Sequence, residues 1–215
     1  MIPSQDLRKI YWLSGSPCAG KTTIAKLLAE RFDWHVYHCD DWFAEHRQRS
    51  TSLEHPTFYH VSRLSGDALW LRPVTQQIKS EISFCTDEFQ LVLQDLMAQI
   101  QEIEQPILFD GTAALPSLVK PFLPNPGHAF WLIPTEDFQR HHYAQRPWIH
   151  DVLAKTSDPK QAFSNWMARD TGFARWLETQ VIAHNMPWLS VDGLLTIEET
   201  AQYIAQHFRV ADSPG

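Results

Sequence analysis

Short runs in which nearly every residue is apolar alternate along this chain with longer stretches in which apolar residues recur every third or fourth position. The first pattern predicts strands buried on both faces, the second amphipathic helices. Ile10-Tyr11-Trp12-Leu13 predicts a strand ending at Gly15, followed by a helix on which Ile24, Leu27, Leu28 and Phe32 share a face. Residues 34–39 predict a second strand, which runs into Asp40 and Asp41. Beyond it, aromatic and basic residues mix through Arg72 with no clean period, and an inserted region spanning about 42–85 is expected there. Phe89, Val92, Leu93, Leu96, Ile100 and Ile103 return to helical spacing, which predicts a helix over residues 86–103 capped by Thr86. Ile107-Leu108-Phe109 after Pro106, residues 129–133 after Pro126-Gly127, and residues 188–191 predict further strands. The last of these turns at Asp192-Gly193 into a helix beginning near Thr196. Residues 135–175 are rich in His, Arg and Trp around the polar centre Thr156-Ser157-Asp158-Pro159, the pattern of two helical arms joined by a turn. Residues 212–215 are expected to fray.

Strands exchanged with helices imply right-handed crossovers and hence an α/β fold of three layers. A parallel sheet of about five strands would be covered by helices on both faces, with ligands gathered at its carboxyl edge. The 215 residues are read as one domain, 1–215, carrying the insertion at about 42–85 and a helical lid at about 135–175. Nine tryptophans in a chain that is 44% hydrophobic require burial or a lined site. The net charge of -7 argues against nucleic acid as a bulk partner, because backbone binding rests on a Lys/Arg surplus. No uncharged apolar stretch approaches the roughly 18 residues needed to cross a bilayer, and Met1 to Lys9 carries no apolar leader core. No membrane partner and a cytoplasmic location are therefore expected. The three cysteines, Cys18, Cys39 and Cys85, make no CxxC pair and are expected to be reduced. The eleven histidines are scattered, none at metal-ligand spacing from a cysteine, so no structural metal is expected.

The segment Gly15-Ser16-Pro17-Cys18-Ala19-Gly20-Lys21-Thr22 fits GxxxxGK[ST] and lies between a predicted strand and a predicted helix, the context its mechanism requires. Glycines let successive N–H groups turn towards phosphate oxygens, and the helix adds its positive N-terminal end. Such a loop predicts a nucleoside triphosphate, ATP or GTP, as phosphoryl donor, with Lys21 bridging the β- and γ-phosphates and Thr22 holding Mg2+. Asp110, closing a strand just before Gly111, fits the carboxylate that holds the same magnesium through water. A regulatory GTPase would need Asn-Lys-x-Asp, which does not occur. An ABC-type ATPase would need Glu directly after Asp110, and Leu64-Ser65-Gly66-Asp67 imitates only part of that class's signature.

The stretch from Gly15 to Thr23 resembles the nucleotide-binding loop of the adenylate-kinase-like P-loop kinases, which commonly read Gly-x-Pro-x-x-Gly-Lys-[Ser/Thr]; Cys18 stands where many have Gly. The resemblance implies that Gly15, Ser16, Cys18, Ala19, Gly20, Lys21, Thr22 and Thr23 bind the nucleotide, Thr23 at the α-phosphate. Asp110-Gly111 likewise looks like the Asp-Gly that closes the third strand of nucleoside monophosphate kinases. A compact kinase must shield the phosphoryl group from water and neutralise its developing charge, a task for lid arginines. Arg140, Arg146, Arg169 and Arg175 are the candidates. The aromatic and basic stretch Trp42-Phe43, Phe58-Tyr59, Arg63 and Trp70-Leu71-Arg72 lies where this class holds its acceptor. Cys39-Asp40-Asp41-Trp42 looks like the acid that small-metabolite P-loop kinases carry just after this strand. Asp40 or Asp41 would take the acceptor's proton, with Asp41 also placed to cap the next helix. The expected activity is transfer of the γ-phosphoryl group to a hydroxyl of a nucleoside, sugar or antibiotic-like molecule, by a monomer or homodimer. A nucleoside monophosphate kinase and a nonenzymatic nucleotide switch are the alternatives.

Overall fold

Along each central strand, alternate residues point into opposite halves of the core. Ile10, Trp12, Ile107, Phe109, Ala129, Trp131 and Ile133 enter one cluster of buried side chains. Leu13, Leu108, Phe130 and Leu132 enter another. Runs that are apolar at every position thus serve two faces, which requires helices on both. The computed structural model describes residues 6–209, so the fraying expected at 212–215 lies outside the described residues.

Strands β1 (Ile10–Gly15), β2 (His35–His38), β3 (Ile107–Asp110), β4 (Ala129–Pro134) and β5 (Trp188–Val191) form a 5-stranded sheet in the order β2-β3-β1-β4-β5. Every pairing is parallel, with Ile10 opposite Ile107 and Trp12 opposite Ala129. After β1 comes α1 (Lys21–Phe32); after β2, a 3-10 turn (Cys39–Trp42) leads to the short helices α2 (Phe43–Arg49), α3 (Pro56–Val61) and α4 (Asp67–Trp70). The long α5 (Val74–Glu102) returns to β3, and α6 (Pro116–Val119) precedes β4. Helices α7 (Glu136–Ala144), α8 (Trp148–Leu153) and α9 (Pro159–Ala183) follow, and α10 (Ile197–Phe208) closes the described chain. One face of the sheet is covered by α5 and α9, the other by α1 and α10. None of the described helices is long and apolar enough to cross a membrane.

Two expectations need correction. The helix expected from Thr86 begins at Val74 and runs 29 residues, with Pro73 at its cap. Thr86 is mid-helix and donates its hydroxyl to the Ile82 carbonyl at 2.9 Å. The apolar period disappears before Thr86 because only Gln77 and Cys85 are buried there, and Gln77 is polar. The second arm of the expected lid is also core over much of its length: α9 starts at the expected turn, where Asp158 accepts from Gln161 N–H, yet Phe173, Ala174, Leu177 and Val181 are buried against the sheet. A separate apolar cluster of Trp70, Tyr143, Ile149, Leu153, Trp166 and Met167 ties α4, α7 and α8 to the start of α9. At the far end, Thr196 caps α10 with a reciprocal Thr196/Glu199 capping box, as its position suggested.

Candidate active site

β1 ends at the point where the chain's neighbours in the sheet switch from β3 on one side to β4 on the other, the place where an open α/β sheet leaves a crevice. The loop Gly15–Lys21 occupies it. Gly15 has φ 141°, and a Cβ there would run into the Leu132 carbonyl of β4. Ser16 N–H donates to that carbonyl at 3.0 Å and pins the loop to the sheet. Cys18 sits at φ 68°, a left-handed conformation natural to the glycine that many such loops carry. Lys21 is buried and folds back to donate to the Ser16 carbonyl at 2.8 Å. Burial pushes its pKa down, opposed by the carboxylates of Asp110 and Asp40. Thr22 and Thr23 open α1 and remain exposed.

A cavity of about 440 Å³ lies over this loop, bordered by Asp40, Glu81, Glu88, Asp110, Tyr143 and Arg146 among others. A smaller one of about 190 Å³ adjoins it between Thr22, His38, Asp40, Asp41 and Asp110. Asp40 borders both, whereas Asp41 borders only the smaller. The expected capping role of Asp41 is not found: α2 begins at Phe43 with Trp42 as its cap residue and no side-chain cap bond.

Asp110 is buried at the end of β3, with Oδ2 accepting from His38 Nδ1 at 2.9 Å. That bond raises the His38 pKa, against the effect of burial. Oδ1 has no partner among the described residues. An unmatched buried carboxylate oxygen, on the same cavity wall as the Thr22 hydroxyl, suits a divalent cation. Thr22 and Asp110 would hold it. Gly111 is needed beside them, since a Cβ would lie 2.6 Å from Cys39 Cβ.

Of the lid arginines, Arg146 alone borders the phosphate-loop cavity. It approaches Cys18 Sγ at 3.5 Å and lies 4.9 Å over the Tyr143 ring. Arg140 and Arg175 both pair with Glu136, each at 3.1 Å, away from the cavity. Their separation follows from helical spacing: Glu136 and Arg140 are one turn apart on α7. Arg169 is turned inward against Asp170 at 2.6 Å and Glu81 at 3.3 Å. Burial would lower its pKa, but those two carboxylates outweigh it and keep the guanidinium charged. It therefore reaches the cavity only through Glu81.

Several polar groups at the cavity were not foreseen. Glu81, Cys85 and Glu88 lie on one face of α5 and border the cavity; their spacing at i, i+4 and i+7 was the available signal. Behind Glu88 lies a buried relay. His46 Nδ1 lies 3.1 Å from a carboxyl oxygen of Glu88 and Nε2 2.8 Å from one of Asp95. Asp95 also accepts from Tyr37 at 2.8 Å and pairs with Arg49 at 2.7 Å. Two carboxylates on one ring suit an imidazolium, which alone can donate from both nitrogens. Burial would lower the His46 pKa, but Asp95 and Glu88 raise it above its ordinary value. The fold also brings ligand atoms of Cys39, His46 and Glu88 within 4.8 Å of one another, a proximity that their sequence spacing does not reveal.

No protein-family model matches the chain, and no curated protein is similar to it in sequence. Solved structures are similar in fold. A tunicamycin resistance protein from Deinococcus radiodurans superposes with a TM-score of 0.53 at 15% identity, covering 96% of this chain and 98% of that one. TT1252 from Thermus thermophilus gives 0.50 at 12% identity, covering 94% and 97%. A shikimate kinase from Bacteroides thetaiotaomicron gives 0.49 at 15%, covering 94% and 98%. The three-layer architecture around a five-strand, all-parallel sheet is the fold that this chain shares with these structures.

Proposed function

We propose that the protein is a kinase that transfers the γ-phosphoryl group of ATP or GTP to a hydroxyl of a small molecule, with Asp40 as the general base. The observation that carries this reading is the position of Asp40, which borders both the cavity over the phosphate loop and the smaller one bounded by Thr22 and Asp110. An alcohol becomes a competent nucleophile as it loses its proton, and a carboxylate beside the γ-phosphate can accept that proton. The acceptor side of the cavity adds Glu81 and Glu88, carboxyl groups able to hydrogen-bond the hydroxyls of such an acceptor.

In this reading the loop N–H groups and Lys21 hold the β- and γ-phosphates, and Arg146 offsets charge on the transferred group. Magnesium, held by Thr22 and through water by Asp110, would neutralise phosphate charge. Asp40 takes the hydroxyl proton as the acceptor oxygen bonds to the γ-phosphorus. The bond from that phosphorus to the bridging oxygen breaks, and the nucleoside diphosphate leaves.

The test is acceptor-stimulated release of diphosphate across a panel of nucleosides, sugars and antibiotics. With a working acceptor, Asp40→Asn should cut turnover by roughly a hundredfold or more with unchanged melting, Asp41→Asn should spare it, and Lys21→Ala should abolish it. If Asp40→Asn retains more than about a tenth of normal turnover, the general-base role is refuted.

A further inference from the structure

A second cavity of about 680 Å³ lies between the loop before α4 and helices α8 and α9, and it shares Asp40, Phe43 and Trp148 with the cavity over the phosphate loop. From this continuity, and resting on the kinase reading, we infer that the acceptor is a drug-sized molecule with a bulky apolar or ring-containing body that fills this second cavity and presents its hydroxyl at Asp40.

The walls are apolar. Leu64, Leu69, Trp70, Trp148, Val152 and Trp166 supply most of them. Among the described lining residues Asp40 and Lys155 alone are charged. A compact polyol placed here would surrender its water to walls that return few hydrogen bonds, at a cost for each unmatched hydroxyl. An apolar body would gain from the same walls in proportion to the area it covers. The volume also exceeds what a simple sugar needs and falls within the range of sites for drug-sized ligands.

The walls are preformed as well. Trp70 and Trp166 stack at 4.1 Å with an interplanar angle of 20°, and the Arg169 guanidinium lies 5.0 Å from the Trp70 ring. The Trp70 carbonyl accepts from Gln77 at 3.1 Å and Asn165 at 2.9 Å. Across the cavity mouth, Ser157 N–H donates to Asp67 at 2.7 Å, and Gly66 packs so closely on the Lys155 carbonyl that a Cβ would sit 2.6 Å away. The wall formed by Trp70 and Trp166 is fixed in this way and loses little freedom on binding, so burial against it can appear as affinity. At the junction, Trp148 is 46% exposed and Phe43 38% exposed, large apolar side chains left open where the acceptor would pass. These aromatics sit beside Asp40, so a ring packed between them would carry its hydroxyl towards the carboxylate.

Equilibrium dialysis of the full chain against 2-(2-naphthyl)ethanol and myo-inositol tests this. The apolar alcohol should bind at one site, at least about tenfold more tightly than the polyol. Leu69→Arg, which puts a charge into the cavity, and Val152→Trp, which fills it, should each weaken the naphthyl alcohol by about tenfold or more. Two variants guard against misfolding of one, and each is checked by its melting transition. Absence of naphthylethanol binding, equal or tighter inositol binding, or unaltered naphthylethanol affinity in both folded variants overturns the inference. Dialysis of ATP on the wild type and on Lys21→Ala tests the kinase reading separately. Loss of nucleotide binding by the wild type would remove that reading and leave the cavity result standing.

Discussion

At the scale of single residues, the position of the loop from Gly15 to Lys21 between β1 and α1 was legible because its parts are contiguous: eight successive residues fix the motif, and local backbone geometry does the rest. Asp110 was legible from its place at the end of a buried strand. Its partner His38 was not, because that bond joins neighbouring strands that are remote in sequence. The pair makes a prediction. Asp110→Asn should lower magnesium-dependent turnover far more than metal-free nucleotide binding, since it removes an anion aimed at the cation while preserving shape. His38→Ala leaves the carboxylate but frees its orientation, so turnover should fall by about ten- to a hundredfold, the usual effect of losing a supporting bond behind a metal ligand. Turnover measured across a magnesium titration separates them. Equal losses of turnover and of metal-free binding in Asp110→Asn would instead mark a structural role at the β3 turn.

At the scale of elements, pattern reading succeeded where burial is apolar and failed where the buried face is polar. The beginning of α5 was missed because before Thr86 only Gln77 and Cys85 are buried, too few to mark an apolar stripe, while Thr86 has the chemistry of a cap without being at an end. The lid was drawn too long for the opposite reason: His, Arg and Trp continue into α9, although its later turns are core. The segment that we propose as a lid is α7, α8 and their connection, joined to the loop Gly15–Lys21 by Gln139, which donates to the Pro17 carbonyl at 3.1 Å. Hydrogen exchange should therefore slow over residues 136–158 when a nonhydrolysable triphosphate and acceptor are added, while the buried turns of α9 stay protected throughout. Arg146→Ala should reduce turnover by about a hundredfold, as expected for loss of a charge at the transferring group. Arg140→Ala should change it less than twofold, because Arg140 is occupied by Glu136. Protection that does not change on adding ligand, or equal losses in the two arginine variants, would refute this lid.

For the whole molecule, the wholly apolar strands announced a sheet covered on both faces, but not which strands would be neighbours. The pairing of Ile10 with Ile107 depends on contacts far apart in sequence, and so does the buried relay that fastens the insertion to the core. That relay joins His46 on α2 to Glu88 and Asp95 on α5 and to Tyr37 on β2. Its effect on stability has a definite sign. The carboxylates raise the His46 pKa above the ordinary 6.5, so the native state holds this proton more tightly than the unfolded chain does. The contribution is complete below that ordinary value and is lost as pH rises through the higher native one. Glu88, whose pKa is pushed up by burial, acts with the same sign from its ordinary 4.5 upwards, and Asp95, whose pKa is lowered, loses its contribution only as pH falls below 3.8. His46 is the member of the relay whose ordinary value already lies near neutrality. His38 and the growing negative charge of the chain also reduce stability at high pH, so the wild-type slope alone cannot identify it. His46→Gln removes the titration but keeps a polar group in place. Between about pH 6 and pH 9 the melting temperature of the wild type should fall more steeply than that of His46→Gln, the two curves converging at the alkaline end. If His46→Gln is too unstable to compare, the ring resonances of wild-type His46 must titrate above 6.5. Parallel melting curves, or a ring that titrates below that value, would mean that His46 is neutral in the relay and that its ring adds no charge to the contact between α2 and α5.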